Sequence, residues 1–63
     1  MEETMLLWTI AELMHMTRDE LCDLAARISH KLPGLEADSV ARTNALASLD
    51  NIRRVMVLRD LHP

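Results

Sequence analysis

The chain contains very few of the residues that a polypeptide uses to turn. It has one glycine and two prolines in 63 residues, whereas a sheet of short strands needs a turn signal between successive strands. A turn-rich β fold is therefore excluded. Apolar residues recur at the three- and four-residue spacing of amphipathic helices. The sequence predicts an all-α fold with three helices, organised as a single domain over residues 1–63.

The strongest local signal is Thr17-Arg18-Asp19-Glu20, which has the spacing of a capping box. In this motif the threonine hydroxyl accepts a hydrogen bond from the glutamate N–H, and the carboxylate accepts one from the threonine N–H. Asp19 and Glu20 also suit the positive end of a helix dipole. The motif predicts that the first helix ends near His15 and that the second begins at Arg18.

The second boundary is Leu32-Pro33-Gly34, because proline disfavours helical backbone at Leu32 and glycine can adopt a positive φ. The second helix is thus predicted over 18–32, with an Asp23–Arg27 pair at i,i+4. His30 and Lys31 lie at its negative end. Its predicted core stripe is Leu21, Leu24, Ala25, Ile28 and Leu32.

The third helix is predicted over 39–60, with Asp38 or Ser39 as its cap. A break near Ser48–Asn51 is the alternative, because Ser, Asp and Asn side chains compete with the helical backbone. We predict one continuous helix. Its inner stripe is Ala41, Ala45, Ser48, Leu49, Ile52, Val55 and Met56.

Trp8 is the only aromatic residue. If the first helix spans 4–15 and turns by 100° per residue, Trp8 lies about 160° around the helix axis from Ile10, opposite the core stripe. That stripe consists of Leu6, Leu7, Ile10, Leu13 and Met14. Trp8 is therefore predicted to face a second buried surface, such as another chain. The alternative is a monomer in which Trp8 packs internally.

Several apolar residues remain once the three stripes are assigned, and they group at the first and last helices. A chain this short has marginal stability, and its single cysteine permits no internal disulfide. We therefore predict a symmetric homodimeric helical bundle with Trp8 near its two-fold axis. The predicted oligomer or partner interface is Met1, Met5, Trp8, Met16, Val57, Leu58 and Leu61, with Leu46 also left over.

The net charge of −3 is unevenly distributed. Acidic residues dominate residues 1–39, and a partner-binding acidic face is predicted at Glu12, Asp19, Glu20 and Asp23. Basic residues dominate residues 40–63, so an alternative nucleic-acid surface would use Arg42, Arg53, Arg54 and Arg59. These arginines are scattered around the helix, which favours internal pairing over phosphate binding.

No constellation with catalytic spacing is present in the sequence. Glu12 and His15 have the Glu-x-x-His spacing of carboxylate-bridged metal bundles, but the second copy that such a site needs is missing. Cys22 is predicted to be a partly buried structural residue, because Asp19 and Asp23 oppose a thiolate. His30 and His62 are predicted to lie at the surface. We expect no metal, no cofactor and no enzymatic activity.

These patterns predict a small protein-interaction module (a regulator, adaptor or inhibitor) that binds itself and an unidentified protein partner. The alternative is a nucleic-acid-binding regulator that uses the arginines of the third helix. A further possibility is an acidic inhibitor of a nucleic-acid-handling complex. A lone cysteine, no signal peptide and no apolar run of about 18 residues predict a cytoplasmic protein without membrane contact.

Overall fold

The computed structural model describes residues 7–60, and the regular structure in this range is helical. Helix α1 spans Ile10–Leu13, α2 spans Arg18–Lys31 and α3 spans Val40–Asp60. A 3-10 turn at Leu32–Gly34 follows α2. The predicted all-α class with three helices is confirmed for the described part of the chain.

Helix α2 begins at Arg18, as its capping box predicts. The Glu20 N–H donates to Thr17 Oγ1 at 3.1 Å, and the Thr17 N–H donates to Glu20 Oε1 at 2.7 Å. Leu21 and Ile28 of the predicted stripe are buried. The helix ends at Lys31, one residue before the predicted end, because Leu32 already belongs to the 3-10 turn.

The link between α2 and α3 differs from the prediction in one respect. Gly34 does not adopt a positive φ, since the turn is a short 3-10 helix instead. Ser39 is the cap of α3: its Oγ accepts from the Arg42 N–H at 3.1 Å and donates to the Glu36 carbonyl at 2.8 Å. Of the two predicted caps, the structure uses Ser39.

Helix α3 is continuous and central, since both α1 and α2 pack against it. Contacts at both ends show that α2 runs antiparallel to α3. Arg18 Nη1 lies 2.9 Å from Asp60 Oδ1 at one end, and Arg42 Nη1 donates weakly to the Leu32 carbonyl at 3.4 Å at the other. The core between the helices consists of Leu13, Leu21, Ile28, Ala45, Ile52 and Val55.

The first helix is much shorter than predicted. It covers Ile10–Leu13 instead of 4–15, and residues 7–9 are not helical; residues 4–6 lie outside the described residues. The helix starts late because Thr9 is extended (φ −81°, ψ 159°) and forms a second capping box with Glu12. The spacing Thr9-Ile10-Ala11-Glu12 is the same as that of residues 17–20, and it was the signal that could have located this start.

We expect Gly34→Ala to stabilise the fold. A Cβ at Gly34 would meet no atom within 4 Å, and its φ is not positive. The substitution therefore reduces only the conformational freedom of the unfolded chain, which is worth about 0.4–1 kcal/mol. Urea unfolding followed by circular dichroism measures the change. A lower unfolding midpoint for Gly34→Ala would contradict this account of the turn.

Candidate interaction surfaces

Two side chains of α3 hold the backbone of Trp8. The Trp8 N–H donates to Ser48 Oγ at 2.9 Å, and Asn51 Nδ2 donates to the Trp8 carbonyl at 2.8 Å. Ser48 is fully buried. The polar residues that could have interrupted α3 therefore fasten the non-helical segment of residues 7–9 to the middle of that helix.

The position of Trp8 corrects the prediction from the helical wheel. Its side chain is half-buried and packs against the core of its own chain, as does Met16. The expectation that Trp8 lies opposite the core is wrong, because residues 7–9 do not follow helical periodicity and Ser48 and Asn51 fix the chain direction there. The alternative prediction, in which Trp8 packs internally, describes the contacts of Trp8 within the chain.

Trp8 also forms one wall of two adjoining grooves along α2. Towards the start of α2 the groove is lined by Met16, Glu20 and Asp23. Towards its end a larger groove of about 580 Å³ is lined by Ile28, His30 and Lys31. Leu24 and Arg27 line both grooves. The two sides of Trp8 therefore differ in charge, acidic towards the start of α2 and basic towards its end.

A second surface lies on the C-terminal half of α3. Val57 and Leu58, predicted for the interface, are 52% and 43% exposed. Together with Ile10, Arg53 and Arg54 they line a shallow hollow, and these five residues are called the α3 patch below. Leu46 is exposed elsewhere on α3. The other predicted interface residues, Met1, Met5 and Leu61, lie outside the described residues.

The four predicted acidic residues are all exposed, but three of them already have partners within the chain. Glu12 and Glu20 accept hydrogen bonds at the starts of α1 and α2. Asp23 pairs with Arg27 at 2.9 Å, which confirms that predicted i,i+4 pair. Asp19 belongs to the first turn of α2. Most of this acidic surface therefore serves local structure first.

Glu12 is the clearest example of such a local role. Its Oε1 accepts from the Thr9 N–H and from the Thr9 hydroxyl, each at 3.0 Å. The backbone hydrogen bond first, and the hydroxyl second, hold the pKa of the Glu12 carboxyl below its ordinary value of 4.5. The reason is that both donors stabilise the charged form.

The arginines of α3 are used singly within the fold. Arg54 pairs with Asp50 at 2.8 Å, and Arg59 donates to the Met14 carbonyl at 2.8 Å, where α1 ends. Arg42 reaches the Leu32 carbonyl, whereas Arg53 lines the α3 patch. The prediction that these arginines pair within the chain, with acids of the first two helices, is wrong in its partners: Arg42 and Arg59 bind carbonyl oxygens, and Arg54 binds Asp50 of α3.

The remaining chemistry-bearing residues do not converge. Within residues 7–60, no group of three or more His, Cys, Asp or Glu side chains is arranged to hold a metal ion. Cys22 is exposed, which corrects the predicted partly buried position. His15 and His30 are exposed, and His62 lies outside the described residues.

The chain matches no protein-family model, no curated protein and no solved structure. Among the described helices, none combines the length and apolar character that crossing a membrane requires.

We expect Ser48→Ala to destabilise the fold by about 1–3 kcal/mol, because the part-buried Trp8 N–H loses its acceptor. The emission of Trp8, the only tryptophan, should move to longer wavelength as residues 7–9 loosen. Chemical unfolding followed by this fluorescence measures both effects. Thr43→Ala is the matched control on the same helix: its hydroxyl is exposed and bonds only locally, so a change within about 0.5 kcal/mol is expected. Equal effects of the two substitutions would argue against the anchoring role.

The lowered pKa of Glu12 predicts a pH dependence with a defined sign. Since the folded pKa lies below the unfolded one, this carboxylate stabilises the fold above its unfolded pKa, and the contribution disappears as pH falls through the lowered folded value. Carbon-detected NMR should place the titration midpoint of Glu12 below 4.5. Thr9→Ala should raise the midpoint part of the way, because the backbone donor remains, whereas Thr9→Ser should leave it unchanged. A midpoint that is the same in all three proteins would show that the hydroxyl plays no part.

Proposed function

We propose that the protein is a non-enzymatic protein-interaction module that works as a homodimer and binds a partner protein through the α3 patch. The observation that carries this proposal is the exposure of Val57 and Leu58 beside half-buried Ile10. Grouped exposed apolar side chains, unlike scattered ones, are typical of interaction sites. Among the described residues, no group of three or more His, Cys, Asp or Glu side chains is arranged to hold a metal ion.

The charges of the α3 patch favour a particular kind of partner. Arg53 and Arg54 flank its apolar residues, and arginine is enriched at protein interfaces because its planar group both stacks and forms directed hydrogen bonds. Asp50 holds the Arg54 guanidinium in place. A partner segment with an apolar side chain between acidic ones would complement this arrangement.

The size of the core supports assembly into a dimer. Only six apolar residues are fully buried among the described ones, and one of them is an alanine. A chain of 63 residues with a single cysteine has no disulfide of its own to compensate for such a small core. Association with a second copy is a common way for a domain of this size to gain stability.

The two other functions considered from the sequence receive less support. A nucleic-acid surface needs several arginines on one side, but Arg42 and Arg59 donate to carbonyl oxygens of the chain, which leaves Arg53 and Arg54 at the α3 patch. An acidic inhibitor needs free carboxylates, but Glu12 accepts hydrogen bonds from Thr9 and Asp23 pairs with Arg27. Neither arrangement presents a concentrated charge to a partner.

Val57→Glu tests the patch. The substitution places a charge at the centre of the apolar surface, where burial against a partner would be unfavourable. Affinity capture from extracts of the native host should recover specific proteins with the wild-type chain and lose them, by about tenfold or more, with Val57→Glu. Quantitative mass spectrometry of the captured proteins is the measurement.

Val40→Glu is the matched control, since it makes the same change on the same helix at a site that is 71% exposed and away from the patch. Its capture should equal that of the wild type. Identical recovery with all three chains would overturn the role of the patch. Micromolar binding to random duplex DNA that weakens steeply with salt, measured by fluorescence anisotropy, would favour the nucleic-acid alternative instead.

A further inference from the structure

Four of the residues that line the two grooves beside Trp8 lie along one side of α2, and these four are called the seam below. Glu20, Leu24, Arg27 and Lys31 are separated by four, three and four residues, the spacing that aligns side chains on one face of a helix. All four line one or both of these grooves. The buried residue Ile28 lines the larger groove as well, but it belongs to the core of the chain. The seam therefore runs along the edge of the core-facing side of α2, where Leu24 contacts the core, and it is bordered by Trp8.

The order of acidic, apolar and basic residues along the seam is complementary to the same order on a second copy that runs in the opposite direction. Glu20 and Lys31 are equidistant from a point between Ala25 and Ala26, and so are Leu24 and Arg27. A copy of α2 rotated by 180° about that point would bring Glu20 opposite Lys31 of the second copy. Leu24 would lie opposite Arg27, whose aliphatic stem can cover apolar surface. The charged ends are about 16 Å apart on each helix, at 1.5 Å per residue.

We propose that two copies of the chain associate through antiparallel α2 helices, with Trp8 and Leu24 near the two-fold axis and a Glu20–Lys31 ion pair at each end. An interface about a two-fold axis must be complementary to itself, and this order of acidic, apolar and basic residues meets that condition. Asp23 lines the same groove as Glu20, on the acidic side.

The backbone of Trp8 is already fixed by Ser48 and Asn51. A side chain on such a fixed backbone forms a rigid wall at little further cost in conformational entropy, which favours tight association. Trp is also the residue that most often dominates an interface. The α2 interface is separate from the α3 patch. The inference therefore rests on the proposed function only in the claim that the protein is dimeric.

Sedimentation velocity and equilibrium, at micromolar to millimolar concentration, test the proposal. The wild-type chain should sediment with twice its monomer mass of 7.2 kDa, and Trp8 emission should shift to shorter wavelength as the dimer forms. Lys31→Glu should raise the dimer Kd by about tenfold or more, since the repulsion with Glu20 occurs twice per dimer. Adding Glu20→Gln should recover part of this loss, because glutamine keeps the capping box but removes the repelling charge.

Val57→Glu is the control for the other surface and should leave the dimer Kd unchanged. Circular dichroism checks that Lys31→Glu is folded; if it is not, Lys31→Gln replaces it and should make the dimer Kd less sensitive to salt. A single 7.2 kDa species at every concentration would overturn the dimer itself. A dimer that Val57→Glu disrupts and Lys31→Glu does not would overturn the α2 interface while leaving the proposed dimeric function standing.

Discussion

The fold depends on the contact between residues 7–9 and the middle of α3. Two hydrogen bonds of the Trp8 backbone, one donated by its N–H and one accepted by its carbonyl, connect positions 40 and 43 residues apart in the chain. They set the direction in which the chain enters α1, so that Leu13 reaches the core and the Met14 carbonyl meets Arg59. Without this contact a four-residue helix has too little hydrogen bonding of its own to persist.

The features that the sequence predicted well are those encoded within one turn of helix. The Thr17–Glu20 capping box, the Asp23–Arg27 pair and the cap at Ser39 each involve residues three or four positions apart. Their geometry follows from helix spacing alone. The buried residues of α2 and α3 also follow from periodicity, because these helices are long enough to average out single exceptions.

The bounds of the first helix could not be predicted from periodicity. Apolar residues before Thr9 are compatible with a helical stripe, so periodicity predicted a helix that includes residues 7–9, which are not helical. The local spacing of Thr9 and Glu12 could have corrected its start. No local pattern, however, could have shown that Ser48 and Asn51 hold Trp8, since that contact exists only after α3 has packed. Likewise the role of Arg59 depends on where α1 ends.

The charge order of α2 has a sufficient explanation within a single chain, since acidic residues at the start and basic residues at the end both favour the helix dipole. The dipole, however, acts equally on every face of the first and last turns. The helix dipole does not explain why Glu20 and Lys31 lie on the same side of α2 as Leu24 and Arg27. It also does not explain why this side borders Trp8, the only aromatic residue. The distribution of these charges around the helix, more than their order along it, is therefore the observation that supports the proposed interface.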